Sequence, residues 1–337
     1  MESEKSGPAG PVILFKSAAE ADRRVAGVPA AARIAHDIAP GVPARIWLAL
    51  NGGGSVAAET EAELDRLVPG VRVETVAVEA LDRLLSEAEP GRVTVIAAPQ
   101  LDEGVILRAT GKESDGPVAK WLNRPVSRRL SRLLLRIPGF LPLHATLGTV
   151  AIATIMFLAL IVGGKPGFIA GALLFHAASV FDGVDGEVAR ATFRSSNTGA
   201  SLDSAVDVAT NILFFVGCTI NLALAGNANA ALLGLWGLGA FTLGLIEIGR
   251  RTLAAHEPLG FDLLKQYYEG RFAGRLASLI VLVLTKISGR DFFALMFAIL
   301  VFVAPPIAVL QMFAGGASLW FLIVVASSVP VGRQRSA

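Results

Sequence analysis

The chain has 337 residues, of which 53% are hydrophobic and 17% charged, and its mean hydropathy of +0.59 excludes an ordinary soluble protein of this size. The formal net charge of +2 defines no partner by its total, so the placement of charge carries the information. The single cysteine, Cys218, lies in an apolar run and excludes an intramolecular disulfide, and His36, His144, His176 and His256 are too scattered for a histidine metal site or catalytic dyad.

In chain order, the polar start (Met1 to Gly10) lacks the apolar core of a cleavable signal, so residues 1–10 are expected to be a disordered tail and the region after them to stay cytoplasmic. Residues 11–115 alternate short apolar runs (Val12 to Phe15, Arg45 to Leu50, Val93 to Ala97) with helix-like stretches (Pro29 to Ile38, Glu61 to Leu67, Val78 to Glu87). That alternation predicts a small α/β domain with a parallel sheet. Gly52-Gly53-Gly54-Ser55 follows the second run but lacks the lysine and spacing of a phosphate-binding P-loop, so it reads as a turn. Gly111 to Gly116 reads as a linker. From 118 to 137, Trp121, Leu122, Leu130, Leu133, Leu134 and Ile137 recur at helical spacing among arginines, which suits an amphipathic helix at a membrane interface, or a positively charged stop before a span.

Beyond residue 138, six segments of about 20 apolar residues are long enough to cross a bilayer: about 143–163, 166–186, 200–224, 229–249, 291–311 and 314–331. The linkers after the first, third and fifth hold one charge, Lys165, whereas Arg124 to Arg136, Arg190, Arg194, Arg250, Arg251, Arg333 and Arg335 lie on the other side. The positive-inside rule then puts both termini in the cytoplasm. The expected fold is a polytopic α-helical membrane protein with six transmembrane helices (138–335) behind an N-terminal soluble α/β domain. Leu276 to Leu284 is apolar but too short to span and is expected to lie against the bundle.

The chemistry is concentrated at the ends of the second and third segments. Asp182 and Asp185 are three residues apart and Asp203 and Asp207 four apart, so each pair occupies one helical face. Two such faces opposed make a cup of four carboxylates, which would repel one another unless cations sat among them. A donor set of oxygens alone suits Mg²⁺ or Mn²⁺, and four carboxylates can bridge two ions, an arrangement suited to phosphoryl chemistry. Gly183, Gly186, Ala189, Gly199 and Ala200 strip side chains from the adjoining faces, leaving room for a base and ribose or letting two helices approach. Arg190 is placed to reach a phosphate or an acidic neighbour.

Asp182-x2-Asp185-Gly186-x2-Ala189-Arg190-x8-Gly199-x3-Asp203-x3-Asp207 resembles, at every defined position, the signature of the CDP-alcohol phosphotransferases. The resemblance covers residues 120–335 and implies six transmembrane helices, usually in a homodimer, around a cytoplasm-facing polar cavity in an inner (plasma) membrane. It implies that Asp182, Asp185 and Asp203 hold two Mg²⁺ or Mn²⁺ ions. It makes Asp207 a further ligand and the general base, and Gly186, Ala189, Arg190 and Gly199 the cytidine and phosphate pocket. It also implies a CDP-alcohol donor, an alcohol acceptor, surrounding membrane lipids, release of CMP, and no nucleic-acid partner. A carboxylate held between two divalent ions is a poor base, so the base should be the aspartate least committed to them, consistent with Asp207 a turn deeper in its helix.

A soluble domain ahead of such a core, with Pro125-Val126-Ser127-Arg128-Arg129-Leu130-Ser131 leading into the first span, resembles the bifunctional inositol-phosphate cytidylyltransferase and di-myo-inositol-phosphate-phosphate synthase branch. Here, however, Lys16 to Arg23 lacks the glycine-rich nucleotide loop, and Ala97-Ala98-Pro99 stands where a metal-binding aspartate is expected, so the domain reads as degenerate and non-catalytic. Arg250, Arg251, Arg271, Arg275 and Arg290 can grip a phosphorylated acceptor or simply mark topology. Two other readings compete. A cation transporter or channel predicts acids at the bilayer midplane and helices interrupted there, and a catalytically dead scaffold is disfavoured by four intact aspartates.

Overall fold

The computed structural model describes residues 10–41, 45–87, 93–112, 115–255 and 289–326. The expected tail, Leu276 to Leu284, Arg271, Arg275, Arg333 and Arg335 lie outside the described residues. By compactness the chain divides into two units, residues 1–110 with 132–140 and 188–194, and residues 111–131 with 141–187 and 195–337.

The first unit is built on β1 (Gly10–Phe15), β4 (Arg45–Leu50), β5 (Arg72–Ala77) and β6 (Val93–Ala97), all parallel in the order β5-β4-β1-β6. The central strands are apolar throughout because helices cover a parallel sheet, and Ile13, Ile46, Leu48 and Leu50 are fully buried. Around them run α1 (Ala18–Asp22), α2 (Ala30–Ile38), α3 (Ala58–Leu67), α4 (Leu81–Glu87) and α5 (Glu103–Ala109), with a small hairpin of β2 (Arg24–Val25) and β3 (Val28–Pro29). The edge strand β5 and the hairpin were not legible as elements beforehand, and Val78–Ala80 is a 3-10 turn ahead of α4 rather than its first turn. Gly52, Gly53 and Gly54 have φ of +82°, +72° and +95° and form the turn after β4.

The segment 188–194 ends a long helix and is held by this unit. Phe193 takes φ +55°, Arg194 N–H bonds the Ala189 carbonyl at 2.8 Å and Phe193 N–H the Arg190 carbonyl at 3.4 Å, a Schellman ending with phenylalanine where glycine is usual. The Phe193 ring stacks on His36 at 4.1 Å and under the Arg33 guanidinium at 4.9 Å, which holds the uncommon backbone in place. Arg33 Nη2 lies 2.5 Å from the Ala191 carbonyl and 3.2 and 3.4 Å from those of Val25 and Ala26. Arg66 donates to the Thr192 and Phe193 carbonyls at 2.9 and 3.2 Å, so two cations satisfy the exposed end of a helix dipole. Burial lowers the Arg33 guanidinium to about 10, against the nearby Asp37 carboxylate, so it stays charged at neutral pH.

The second unit is helical. It contains α6 (Arg124–Leu134, prefaced by a π turn at Ala119–Asn123), α7 (Pro142–Val162), α8 (Gly164–Ala191), α9 (Asn197–Leu224), α10 (Ala228–Ala255), α11 (Arg290–Val303) and α12 (Ile307–Ala326), α6 and α8 each running on into the residues of the first unit. Five of these, α7 to α10 and α12, are long and apolar enough to cross a membrane. The last two expected spans are corrected. The segment expected at 291–311 is a helix of 14 residues, about 21 Å long, stopped at Ala304-Pro305-Pro306, and the linker expected at Met312 to Gly316 lies inside α12. Two consecutive prolines end a helix more decisively than Gly315-Gly316, which membrane helices tolerate. The core stacks Phe175 on Phe214 at 4.1 Å and Phe215 on Phe313 at 3.4 Å, and Asn221 Nδ2 donates to the Leu160 and Gly164 carbonyls where α7 turns into α8.

Arg33→Ala should strand three main-chain carbonyls and destabilise the full chain by about 2–3 kcal/mol. Arg33→Lys, lacking the planar fork, should not restore the loss; a thermal or denaturant midpoint equal to the parent's in both variants would refute the capping role.

Candidate active site

α8 and α9 deliver the acidic residues. α8 buries Phe168, Phe175 and Val184 and α9 buries Phe214 and Cys218, each helix carries carboxylates three or four apart on one face, and Ser196 caps α9 by accepting the Gly199 N–H at 3.0 Å. Asp182, Asp203 and Asp207 each place a carboxylate oxygen within 4.8 Å of the others. The fourth expected member, Asp185, accepts the Thr146 hydroxyl of α7 at 3.0 Å and the Gly186 N–H, and stands within hydrogen-bonding reach of Asp203. Thus three carboxylates converge and the fourth adjoins them through Asp203.

Arg290, at the first position of α11, supplies the positive charge of the group. Its Nη1 is 3.2 Å from Asp182 Oδ1 and in contact with Asp207 Oδ1. Asp203 Oδ1 is buried without a hydrogen-bond partner among the described residues. An all-oxygen donor set at this spacing, with a buried oxygen left unpaired, fits a hard divalent cation, whose ligands stand at about 2.0–2.2 Å from the ion. Asp182, Asp203 and Asp207 are the residues that can hold it.

The remaining signature residues are placed less directly. Arg190 Nε donates to the Thr110 carbonyl at 2.6 Å, Ala189 supplies the carbonyl of the helix ending described above, and Gly199 lies exposed in the first turn of α9. Gly183 serves helix approach: a Cβ there would lie 3.0 Å from Arg124 Nη1 and 3.3 Å from Ser127 Oγ. Arg250 is exposed and paired with Glu247 on its own helix.

Sequence reasoning assigned no role to Glu187, which is fully buried. Its carboxylate accepts Ser127 Oγ and Ser131 Oγ, each at 2.6 Å, and Arg124 Nη1 at 3.1 Å. Arg124 also donates to both oxygens of Asp115 at 2.8 and 3.0 Å. The signal was present, because Arg124, Ser127 and Ser131 fall on one face of α6, but it was masked by attention to the apolar stripe. α6 turns this polar face inward while Val126 and Leu133 remain 42% and 58% exposed. Burial would push the Asp115 carboxyl up, but the hydrogen-bonded Arg124 guanidinium outweighs it and holds the group below the usual carboxylate range.

Converging carboxylates on helices long and apolar enough to cross a membrane, with a guanidinium beside them, form a group that could hold a metal ion. A family model described as CDP-alcohol phosphatidyltransferase matches residues 140–329, more than half of the chain, and the chain belongs to that family. It is 37% identical over 108 residues to a "Bifunctional IPC transferase and DIPP synthase" of Aquifex aeolicus and 38% identical over 101 residues to a protein of the same description from Thermococcus kodakarensis. Those matches cover 32% and 30% of this chain and 24% and 21% of the relatives, which agrees with the branch that the sequence resembles while leaving most of each relative unmatched.

Glu187→Ala should cost about 3–5 kcal/mol, as expected for removing one partner of a buried ion pair, and Glu187→Gln less, since the hydroxyl contacts survive; equal unfolding midpoints for the two variants would contradict this. The depressed Asp115 carboxyl contributes stability that is fully present above its unfolded value of about 3.9 and is lost as pH falls through the lower folded value. The parent's midpoint should therefore drop below about pH 4, and Asp115→Asn should lack that part of the drop.

Proposed function

We propose that the chain transfers a phosphoalcohol group from a CDP-alcohol of the CDP-diacylglycerol or CDP-inositol type to an alcohol acceptor such as an inositol or glycerol phosphate, releasing CMP, in phospholipid or polar-headgroup synthesis. The observation that carries the reading is the convergence of Asp182, Asp203 and Asp207 within 4.8 Å beside Arg290. Asp182, Asp185, Asp203 and Asp207 hold two Mg²⁺ or Mn²⁺ ions in this reading, and Gly186, Ala189, Arg190 and Gly199 line the donor pocket. When bound, the ions neutralise the donor pyrophosphate and the leaving phosphate.

Asp207 accepts the proton of the acceptor hydroxyl. The acceptor oxygen bonds to the alcohol-bearing phosphorus as the bond from that phosphorus to the CMP oxygen breaks. A carboxylate paired with a guanidinium is a weak base, so Arg290 must first pair elsewhere, and a substrate phosphate is the anion suited to draw it. The reading places the site on the cytoplasmic face of a homodimer in the inner membrane. The N-terminal unit is non-catalytic in it: Ser17, after β1, caps the short α1, and Ala98-Pro99 follows β6.

CMP release from a panel of CDP-activated donors and alcohols should require Mg²⁺ or Mn²⁺ and stop on chelation. It should fall by about 10²-fold or more in Asp203→Asn and Asp207→Asn at unchanged elution volume. Undiminished release from both folded variants would dismiss the assignment.

A further inference from the structure

A second polar group continues the carboxylate cluster along α8 and α11. Asp291 Oδ1 accepts Asn123 Nδ2 at 2.7 Å and Ser179 Oγ at 2.8 Å. Asn123 is 4% and Ser179 5% exposed. His176, Ser179 and Asp182 recur every three residues and so share one face of α8. Asp182 in turn meets Arg290, the neighbour of Asp291. None of Asn123, His176, Ser179 and Asp291 belongs to the acidic signature.

Several of these side chains are incompletely partnered. Asn123 Oδ1, His176 Nδ1, and Arg290 Nε and Nη2 are buried with no hydrogen-bond partner among the described residues. Buried polar atoms are almost always paired, and a concentration of exceptions marks a volume that another polar group fills. The unpaired set mixes an acceptor (Asn123 Oδ1), a ring nitrogen able to play either part, and cationic donors. A hydroxyl both donates and accepts and therefore satisfies the first two, while an anionic oxygen satisfies the guanidinium. A hydrocarbon chain in the same place would leave all of them unpaired.

We propose that Asn123, His176, Ser179 and Asp291 bind hydroxyls of the acceptor, and that the acceptor is accordingly a polyhydroxylated anion whose charged group meets Arg290. The assignment deepens the phosphotransferase reading and rests on it for the identity of the ligand as acceptor. It separates two groups of residues, the signature acting on the donor and this set selecting the acceptor.

The test uses the full chain in detergent with Mg²⁺ and compares a polyol phosphate (glycerol 3-phosphate or an inositol phosphate) with butyl phosphate, which carries the same anionic group and no hydroxyl. The polyol phosphate should raise the thermal midpoint of the parent at concentrations where butyl phosphate does not. Ser179→Ala and Asp291→Asn should each need about tenfold more polyol phosphate for the same shift. In turnover, the KM for the acceptor should rise by a similar factor with the donor KM within about twofold. Ser179→Ala removes a single oxygen and keeps the test open should Asp291→Asn fold poorly. Equal stabilisation by butyl phosphate, or parent-like affinity in both variants, would overturn the proposal and assign the unpaired atoms to water. Absence of CMP release from the parent would instead count against the phosphotransferase reading and leave the binding comparison standing.

Discussion

Three carboxylates within 4.8 Å of one another, carried by helices otherwise built to lie in hydrocarbon, require positive charge among them. Most of the helical unit can be understood from that requirement. Arg290 meets part of it directly, from the start of a helix too short to cross a bilayer. Asp185, beside Asp203, accepts the Thr146 hydroxyl, so α7 is tied to α8 at the level of the acids. A cluster this compact could hold a metal ion. This is a different design from a transporter path, in which acids are spaced along a conduit.

Holding the carboxylates in register demands that α8 neither rotate nor slide, and the polar contacts on α8 answer that demand. Glu187, two residues beyond Asp185, is bonded by two serines and an arginine of α6, while the Gly183 carbonyl lies 3.3 Å from the same arginine. A buried ion pair contributes little net stability compared with well-packed apolar residues, but it fixes geometry because any slip leaves a charge unpaired. α6 thus presents two serines and an arginine inward, while Val126 and Leu133 are exposed beside Arg129 and Arg132, a mixed outer face that suits a membrane interface.

The acidic site was legible because its information is local: carboxylates three and four apart on two consecutive helices announce two faces, and the sequence need only place them side by side. The apolar strands β1 and β4 and the first four long helices were legible for the same reason, each having its own period or composition. What escaped is non-local. Arg290 and Asp291 lie more than eighty residues from their nearest signature partner, and nothing near them in sequence says which carboxylate or amide they meet. β5, Arg-Val-Glu-Thr-Val-Ala, is an edge strand whose exposed side tolerates charge, so its pattern resembles a loop. The late break falls at Pro305-Pro306 and not at Met312 to Gly316, because proline removes the backbone donor that a helix needs.

The ending of α8 shows what the first unit does for that helix. Phenylalanine at a left-handed position costs roughly 1 kcal/mol relative to glycine, and a sequence free to choose glycine there would gain by it unless the ring were used. The ring is used: it lies against His36 and Arg33 while Arg33 and Arg66 take the carbonyls of Ala191, Thr192 and Phe193. Arg194 adds an ion pair to Glu63, which also holds Arg66. A helix terminus so fastened cannot fray, and fraying would begin one residue from Arg190. The parallel sheet, with its fully buried Ile46 and Leu48, is then best understood as the rigid support for those two arginines.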